Sequence, residues 1–139
     1  MRIGCNNSYE LIVEKALEET GMDYCKMISR DDVMFILYLS DEKRGAIFVD
    51  EDGKASFSYT IIDSVAGDKE TISAILSQMN KKTPSYYLSL RKGGEIVSQY
   101  DFAISFDDTV TLQIKSAMEW FKNKNKLQKD IFLEKLSKK

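Results

Sequence analysis

The chain has 139 residues, a length typical of a single domain. Hydrophobic residues make up 43% and charged residues 30%, a composition that fits a soluble globular protein and excludes disordered and collagen-like chains. The sequence contains no histidine, so it also excludes Ser–His–Asp and Cys–His hydrolysis, histidine-ligated zinc and imidazole acid–base chemistry.

A helical period near the start of the chain predicts an amphipathic helix over about residues 8–20. Its apolar positions recur at intervals of three and four residues: Tyr9, Ile12, Val13, Ala16 and Leu17. Asn7 and Glu10 resemble a capping box, and Gly21 stands where a helix commonly ends.

A period of two follows and predicts a meander of four strands. These strands are expected over about residues 24–29, 33–40, 46–50 and 55–62. Short turns join them, including an Asp-Gly hairpin signal at Asp52 and Gly53, so we expect antiparallel pairing. Cys25 falls in the first of these strands, where we expect a small buried residue.

The second half of the chain predicts a helix, a hairpin and another helix. After Gly67, with Asp68 as N-cap, an apolar stripe of Ile72, Ile75, Leu76 and Met79 indicates a helix that stops before Pro84. Residues 86–90 and 95–105 form the predicted hairpin around Gly93-Gly94. The last helix opens near Asp107-Asp108-Thr109, and its predicted buried stripe is Val110, Ile114, Ala117, Met118 and Phe121.

A polar stretch over residues 123–126 interrupts the last apolar stripe. Beyond it, Leu127, Ile131, Phe132 and Leu136 define a short basic amphipathic segment that we expect to be bent or detached. The predicted organisation is therefore one domain over residues 1–121 and a basic helical extension over 122–139. The order α-β-β-β-β-α-β-β-α indicates an α+β fold, with helices packed on an antiparallel sheet of five to six strands.

Charge and hydropathy constrain the partners. The net charge is −2, which argues against a dedicated nucleic-acid binder, although residues 122–139 carry seven lysines and two acidic residues, a net +5 against −7 elsewhere. The opening MRIGCNNSYE has no apolar signal-peptide region, and the longest apolar run, residues 33–39, is too short for a membrane span. We therefore expect a cytoplasmic protein with no membrane contact.

No motif indicates a metal or a cofactor. Asp50, Glu51 and Asp52 open a calcium-like loop, but the required ligand positions five and twelve fall on Lys54 and Ile61. Gly93-Gly94 joins two strands and lacks the surrounding residues of a phosphate loop. The two cysteines form no zinc-binding set.

The residues most suited to partner binding lie near the C-terminal end. Trp120 either flanks the core or belongs to a partner-binding surface, where tryptophan is enriched. The segment containing Leu127, Ile131 and Phe132 either folds back on its own domain, docks on another copy or lies on an acidic surface.

Three local features and the order of elements carry a resemblance. They are the passage Leu17-Glu-Glu-Thr-Gly-Met-Asp-Tyr24 into the first strand, Asn80 near the end of the second helix, and the acidic entry to the third. With the predicted order, residues 9–121 resemble the YbjN-like family, which shares its fold with the class I type III secretion chaperones. The YbjN-like proteins are described as regulators of sensory transduction. The chaperones are homodimers that bind extended effector segments, partly by strand addition at a sheet edge.

The resemblance implies a non-enzymatic function and supplies no catalytic residues. We expect a protein-interaction module, regulator-like or chaperone-like and homodimeric, that binds a polypeptide through apolar surface or a sheet edge. The alternative is a small-molecule sensor or an enzyme with a pocket between sheet and helices, which would use Tyr, Asp and Lys side chains.

Overall fold

The structure, a computed structural model, describes residues 8–29, 32–38, 44–83, 85–106 and 108–138. Nine elements follow in chain order: α1 (Ser8–Thr20), β1 (Tyr24–Ser29), β2 (Asp32–Tyr38), β3 (Arg44–Val49), β4 (Lys54–Ile62), α2 (Lys69–Asn80), β5 (Tyr87–Leu90), β6 (Ile96–Ala103) and α3 (Thr109–Ser137). The predicted α+β class and element order are confirmed. The predicted roles of Asn7, Pro84 and Asp107 lie outside the described residues. The same holds for residues 30–31 and 39–43, which include the predicted end of the second strand.

The six strands form one antiparallel sheet in the order β1-β2-β3-β4-β6-β5. In β1–β2 and β2–β3 the register pairs Met27 with Met34, and Met34 with Phe48. Strand β6 lies between β4 and β5, so β1 and β5 are the outer strands of the described sheet. The hairpin signals at Gly53 and Gly94 are confirmed, since both glycines adopt φ +86° in turns between strands.

The chain divides into two compact units, residues 1–57 with 101–118 (unit 1) and residues 58–100 with 119–139 (unit 2). In unit 1, alternate side chains of β2 and β3 are buried together with one stripe of α1 and the first part of α3. The buried apolar residues include Val13, Leu17, Val33, Phe35, Leu37, Ile47, Val49, Val110 and Ile114. This is the half-buried alternation that the period of two indicates.

In unit 2, α2 begins at the predicted cap. The Asp68 side chain accepts a hydrogen bond from the Thr71 backbone N–H at 3.1 Å, which satisfies one of the free donors of the first turn. The four predicted stripe residues are buried: Ile72, Ile75, Leu76 and Met79. Phe121, Ile96 and Leu88 are also buried in this unit.

The predicted break at residues 123–126 is wrong, because α3 is one continuous helix from Thr109 to Ser137. The buried stripe runs on through Phe121, Asn125, Gln128 and Phe132, which keep the spacing of three and four residues. Two polar residues on the buried stripe hide this continuity in the sequence. Asn and Lys do not break a helix in the way that Pro or Gly does.

The prediction for Cys25 is also wrong, since its thiol is free and its side chain exposed. In β1 the side chains alternate between two faces, and Cys25 shares the uncovered face with Met27. No helix within the described residues is long and apolar enough to cross a membrane.

Candidate functional site

A groove in unit 2 brings together three of the four residues expected to bind a partner. It is lined by the C-terminal end of α2, the turn after it and one face of α3, and has a volume of about 600 Å³. We call it the lysine groove; its lining residues are Gln78, Met79, Lys81, Lys82, Thr83, Trp120, Lys124, Leu127, Gln128, Ile131 and Lys135. At 1.5 Å per residue, the α3 face from Trp120 to Lys135 is about 22 Å long.

The floor of the lysine groove is apolar and partly open to solvent. The side chains of Leu127 and Ile131 are 52% and 36% exposed. Trp120 is half-buried, and its ring stacks on that of Tyr86 with centroids 4.5 Å apart and planes 12° from parallel. Tyr86 in turn stacks on Tyr100 at 5.0 Å. Trp120 therefore packs in unit 2 through one ring face and also lines the groove, which combines the two expectations for it.

Phe132 does not belong to this surface. Its side chain is 0% exposed, so it packs inside the unit and cannot contact a partner. Phe132 follows Gln128 by four positions on the buried stripe of α3, whereas Ile131 follows Leu127 by four positions on the groove side. The expectation that Phe132 contributes to a binding surface is corrected accordingly.

Four lysines, Lys81, Lys82, Lys124 and Lys135, give the lysine groove its charge. No acidic side chain lines it, and within the described part of the chain none of the four forms an ion pair. Other lysines of α3 do pair along the helix: Lys126 contacts Asp130 and Lys138 contacts Glu134, both at 3.1 Å. The groove therefore holds an uncompensated positive charge over an apolar floor.

Several buried polar atoms in or beside the lysine groove have no hydrogen-bond partner among the described residues. They include Oε1 of Gln128, which is 7% exposed, and the indole Nε1 of Trp120. Asn125 is 5% exposed and one turn before Gln128, and within the described ranges neither of its side-chain polar atoms has a partner. A buried polar atom without a partner costs about 1–3 kcal/mol, so each of these atoms needs a partner, which ordered water or a bound ligand can supply.

A second uncovered surface belongs to unit 1. The register of β1, β2 and β3 places Cys25, Met27, Met34, Ile36, Ala46 and Phe48 on one face of the sheet, opposite the buried side chains. We call this the open face; each of its six side chains is exposed or half-exposed. The six carry no charge. A contiguous apolar surface of this kind is typical of an interaction site.

At the centre of the outer strand β5, the backbone hydrogen-bonding groups are already satisfied by a side chain. The Leu88 backbone N–H donates to Oδ1 of Asn80 at 2.6 Å, and Nδ2 of Asn80 donates to the Leu88 carbonyl at 2.9 Å. One side-chain amide thus satisfies both backbone groups that Leu88 turns away from β6. An added strand would have to displace it.

The other outer strand, β1, carries a lysine directed toward α1. Nζ of Lys26 lies 2.7 Å from Oε2 of Glu10 and 2.9 Å from Oε1 of Glu14, and the Tyr24 hydroxyl donates to Glu14 at 2.8 Å. A charge on the inner face of an edge strand is a device that discourages strand addition. Both outer strands are therefore protected, by different means.

The pKa values of Glu14, Lys26 and Tyr24 are shifted away from neutral pH. The hydrogen bond from Lys26 lowers the pKa of Glu14, and the hydrogen bonds to Glu10 and Glu14 raise the pKa of Lys26. Burial and the hydrogen bond to Glu14 raise the pKa of Tyr24 to about 12. A catalytic acid or base has its pKa adjusted toward the working pH, which is the opposite direction.

The acidic hairpin turn at Asp50 is stabilised by hydrogen bonds within the turn. Oδ1 of Asp50 accepts from the backbone N–H groups of Asp52 at 2.9 Å and Lys54 at 3.0 Å, which is the bonding of a hairpin turn. Across the described ranges, no three His, Cys, Asp or Glu side chains are placed to hold a metal ion.

No family model, no curated protein and no solved structure matches this chain. The resemblance to the YbjN-like family stays a prediction.

Proposed function

We propose that this protein is a cytoplasmic, non-enzymatic interaction module, regulator-like or chaperone-like, that binds a polypeptide partner through the lysine groove. The observation that carries the proposal is the combination of an exposed apolar floor, lysines that form no ion pair within the described residues, and a tryptophan held in place by stacking. Tryptophan anchors in well-packed surroundings contribute most of the binding energy at many protein interfaces.

The edges of the sheet are less favourable for binding. The Asn80 side chain already bonds the backbone at the centre of β5, and the inward-facing Lys26 protects the edge of β1. Between the two modes that the resemblance implies, this supports apolar surface over strand addition.

The absence of histidine supports a non-enzymatic function, as do pKa values that move away from neutrality at Lys26 and Tyr24. A lysine nucleophile needs a lowered pKa, whereas ion pairing keeps Lys26 protonated.

The protein also forms a homodimer in this proposal, through the open face of unit 1. A twofold interface places the same patch on both subunits, so an uncharged apolar patch meets its own copy without like-charge repulsion. Met27 and Phe48 are the most accessible large side chains of the open face.

Leu127→Glu tests the groove, and Leu133→Glu is its matched control. Leu133 lies on the same helix, is 41% exposed and does not line the lysine groove. A partner captured by the wild-type chain is expected to bind Leu133→Glu normally and to lose at least tenfold in affinity for Leu127→Glu. Equal binding to both variants would overturn the assignment to the groove.

The second candidate function is binding of a small molecule in the same groove, because about 600 Å³ lies within the range of ligand pockets. A thermal-shift screen with nucleotides, sugars and metal ions distinguishes the two, since a ligand specific for the folded state raises the melting temperature. Stabilisation that Leu127→Glu abolishes would favour this candidate over the polypeptide.

A further inference from the structure

We infer that the occupant of the lysine groove is an acidic amphipathic helix of the partner, an inference that rests on the proposed function. The lysine groove is built from two helices, and three properties of its walls define the occupant: length, charge and buried polar atoms.

The shape of the floor fits a helix. Trp120, Leu127 and Ile131 are separated by seven and four positions on α3, which are two turns and one turn of the same face. A helix in an apolar groove presents its own side chains at i, i+4 and i+7, so the two patterns have a common repeat. A partner helix of about fifteen residues matches the 22 Å length of this face.

The lysines that line the groove indicate that the occupant is negatively charged. Lys81 and Lys82 stand at the end of α2, while Lys124 and Lys135 stand on α3. Because none of these four lysines forms an ion pair within the described residues, their positive charge disfavours a basic ligand in the groove. Carboxylates on the polar side of the partner helix would neutralise them, and complementary charge sets both association rate and partner choice.

The buried polar atoms indicate one polar side chain within the apolar face of the partner. Oε1 of Gln128 needs a donor, and Nε1 of Trp120 needs an acceptor. The two residues are eight positions apart on α3, about 12 Å along the helix axis, so one amide cannot reach both atoms. We therefore expect an asparagine or glutamine of the partner to pair with Gln128, which lines the lysine groove, and this pairing would remove one desolvation penalty.

The test is selection from a displayed library of amphipathic helices against the full chain. Each peptide of the library has about eighteen residues, which span the groove face of about 22 Å at 1.5 Å per residue. Its apolar positions are fixed, and its polar positions are varied among Glu, Gln and Lys. Enriched peptides are titrated against the wild-type chain, against the double variant Lys124→Glu/Lys135→Glu, and against Lys122→Glu/Lys129→Glu as matched control. The control pair makes the same charge change on exposed positions of α3 outside the lysine groove.

Enrichment of Glu over Lys supports the inference when three further results accompany it. Affinity should fall about tenfold or more for Lys124→Glu/Lys135→Glu and less than threefold for the control. Affinity should weaken as salt rises, because screened charges contribute less. A central proline in the peptide should abolish binding, as expected for a bound helix.

Other outcomes separate this inference from the proposed function. Enrichment of neutral or basic peptides that still lose binding to Leu127→Glu would overturn the acidic helix and leave the groove as a polypeptide site. Retained binding of the proline peptide would overturn the helical form and indicate an extended segment. If no enriched peptide depends on Leu127, both the inference and the proposed function fail.

Discussion

Asn80 takes the place of a neighbouring strand for Leu88. Its side-chain amide accepts from the Leu88 N–H at 2.6 Å and donates to the Leu88 carbonyl at 2.9 Å, so one residue at the end of α2 completes the bonding of an outer strand. Leu88 is itself buried, and water cannot replace these bonds easily.

Replacing Asn80 with leucine should therefore destabilise the protein. Asn80→Leu leaves a buried N–H and C=O without partners, and we expect a loss of about 2 kcal/mol in the free energy of unfolding, measured by urea denaturation. Asn123→Leu, at an exposed position of α3, is the control and should change stability by less than about 0.5 kcal/mol. Equal stability of the two variants would show that the amide is dispensable.

The Lys26 cluster predicts an acid-sensitive component of stability. The pKa of Glu14 is lowered in the folded state, so its contribution is complete above its unfolded value near 4.5 and is lost as pH falls through the lower folded value. The raised pKa of Lys26 affects stability only at high pH. Its contribution to the free energy of unfolding is complete below the unfolded pKa and is lost as pH rises through the higher folded value. Unfolding measured from pH 7 to pH 3 should therefore show declining stability below about 4.5.

Lys26→Met should flatten this decline and lower stability at pH 7. Glu10 is almost fully buried and would lose its cation, while Lys26 itself is partly exposed, so we expect a cost of about 2 kcal/mol. Lys15→Met, at an exposed position of α1, removes the same charge outside this cluster. A pH profile that is the same for both variants would contradict the assignment.

Two glycines in turns should respond differently to alanine. Gly53 has φ +86°, and a Cβ there would lie 2.7 Å from Cζ of Tyr9, so Gly53→Ala should cost about 1–3 kcal/mol. A Cβ on Gly93 would meet nothing within 4 Å, and Gly93→Ala should be neutral or stabilising by about 0.5 kcal/mol. Thermal unfolding of the two variants compares them directly, and a larger loss for Gly93→Ala would contradict the prediction.

Asn125 should be replaceable with a gain in stability. Both of its side-chain polar atoms are buried and have no partner among the described residues, so Asn125→Leu should raise the free energy of unfolding by about 1–2 kcal/mol. Because Asn125 does not line the lysine groove, peptide binding should be unaffected. Gln128→Leu should be stabilising too, but it removes the groove's acceptor and should weaken binding. Loss of stability in Asn125→Leu would reveal a partner for its amide.

The homodimer proposal predicts a dimer mass in light scattering at micromolar concentration. Phe48→Glu places a charge on the open face and should give a monomer, because two copies of that charge would be buried against each other. Leu11→Glu changes a residue of α1 that is even more exposed than Phe48, and this variant should remain dimeric. A wild-type chain that stays monomeric over this range would overturn the proposal.

The order of elements was predictable because the spacing of hydrophobic residues differs between helices and strands. The stripe of α2, from Ile72 to Met79, shows this well, since its N-cap at Asp68 and its buried positions agree with the spacing. The continuity of α3 was not predictable from apolar residues alone. Its buried stripe passes through Asn125 and Gln128, which interrupt the pattern without breaking the backbone.

The site was predictable only in part. Trp120, Leu127 and Ile131 lie together on one helix face, so spacing identifies them, but the same spacing did not separate Ile131 from the buried Phe132. Lys81 and Lys82 directly follow α2, about forty positions earlier in the chain, and only tertiary packing brings them to the same groove. Cys25 shows a similar limit, because strand alternation does not tell which face is covered.

The stack of Trp120 on Tyr86 has a practical consequence. The chain contains a single tryptophan, and its indole lines the lysine groove. Intrinsic fluorescence therefore reports on one location, and an occupant that pairs with the indole nitrogen or displaces solvent from the ring will shift the emission without any added label.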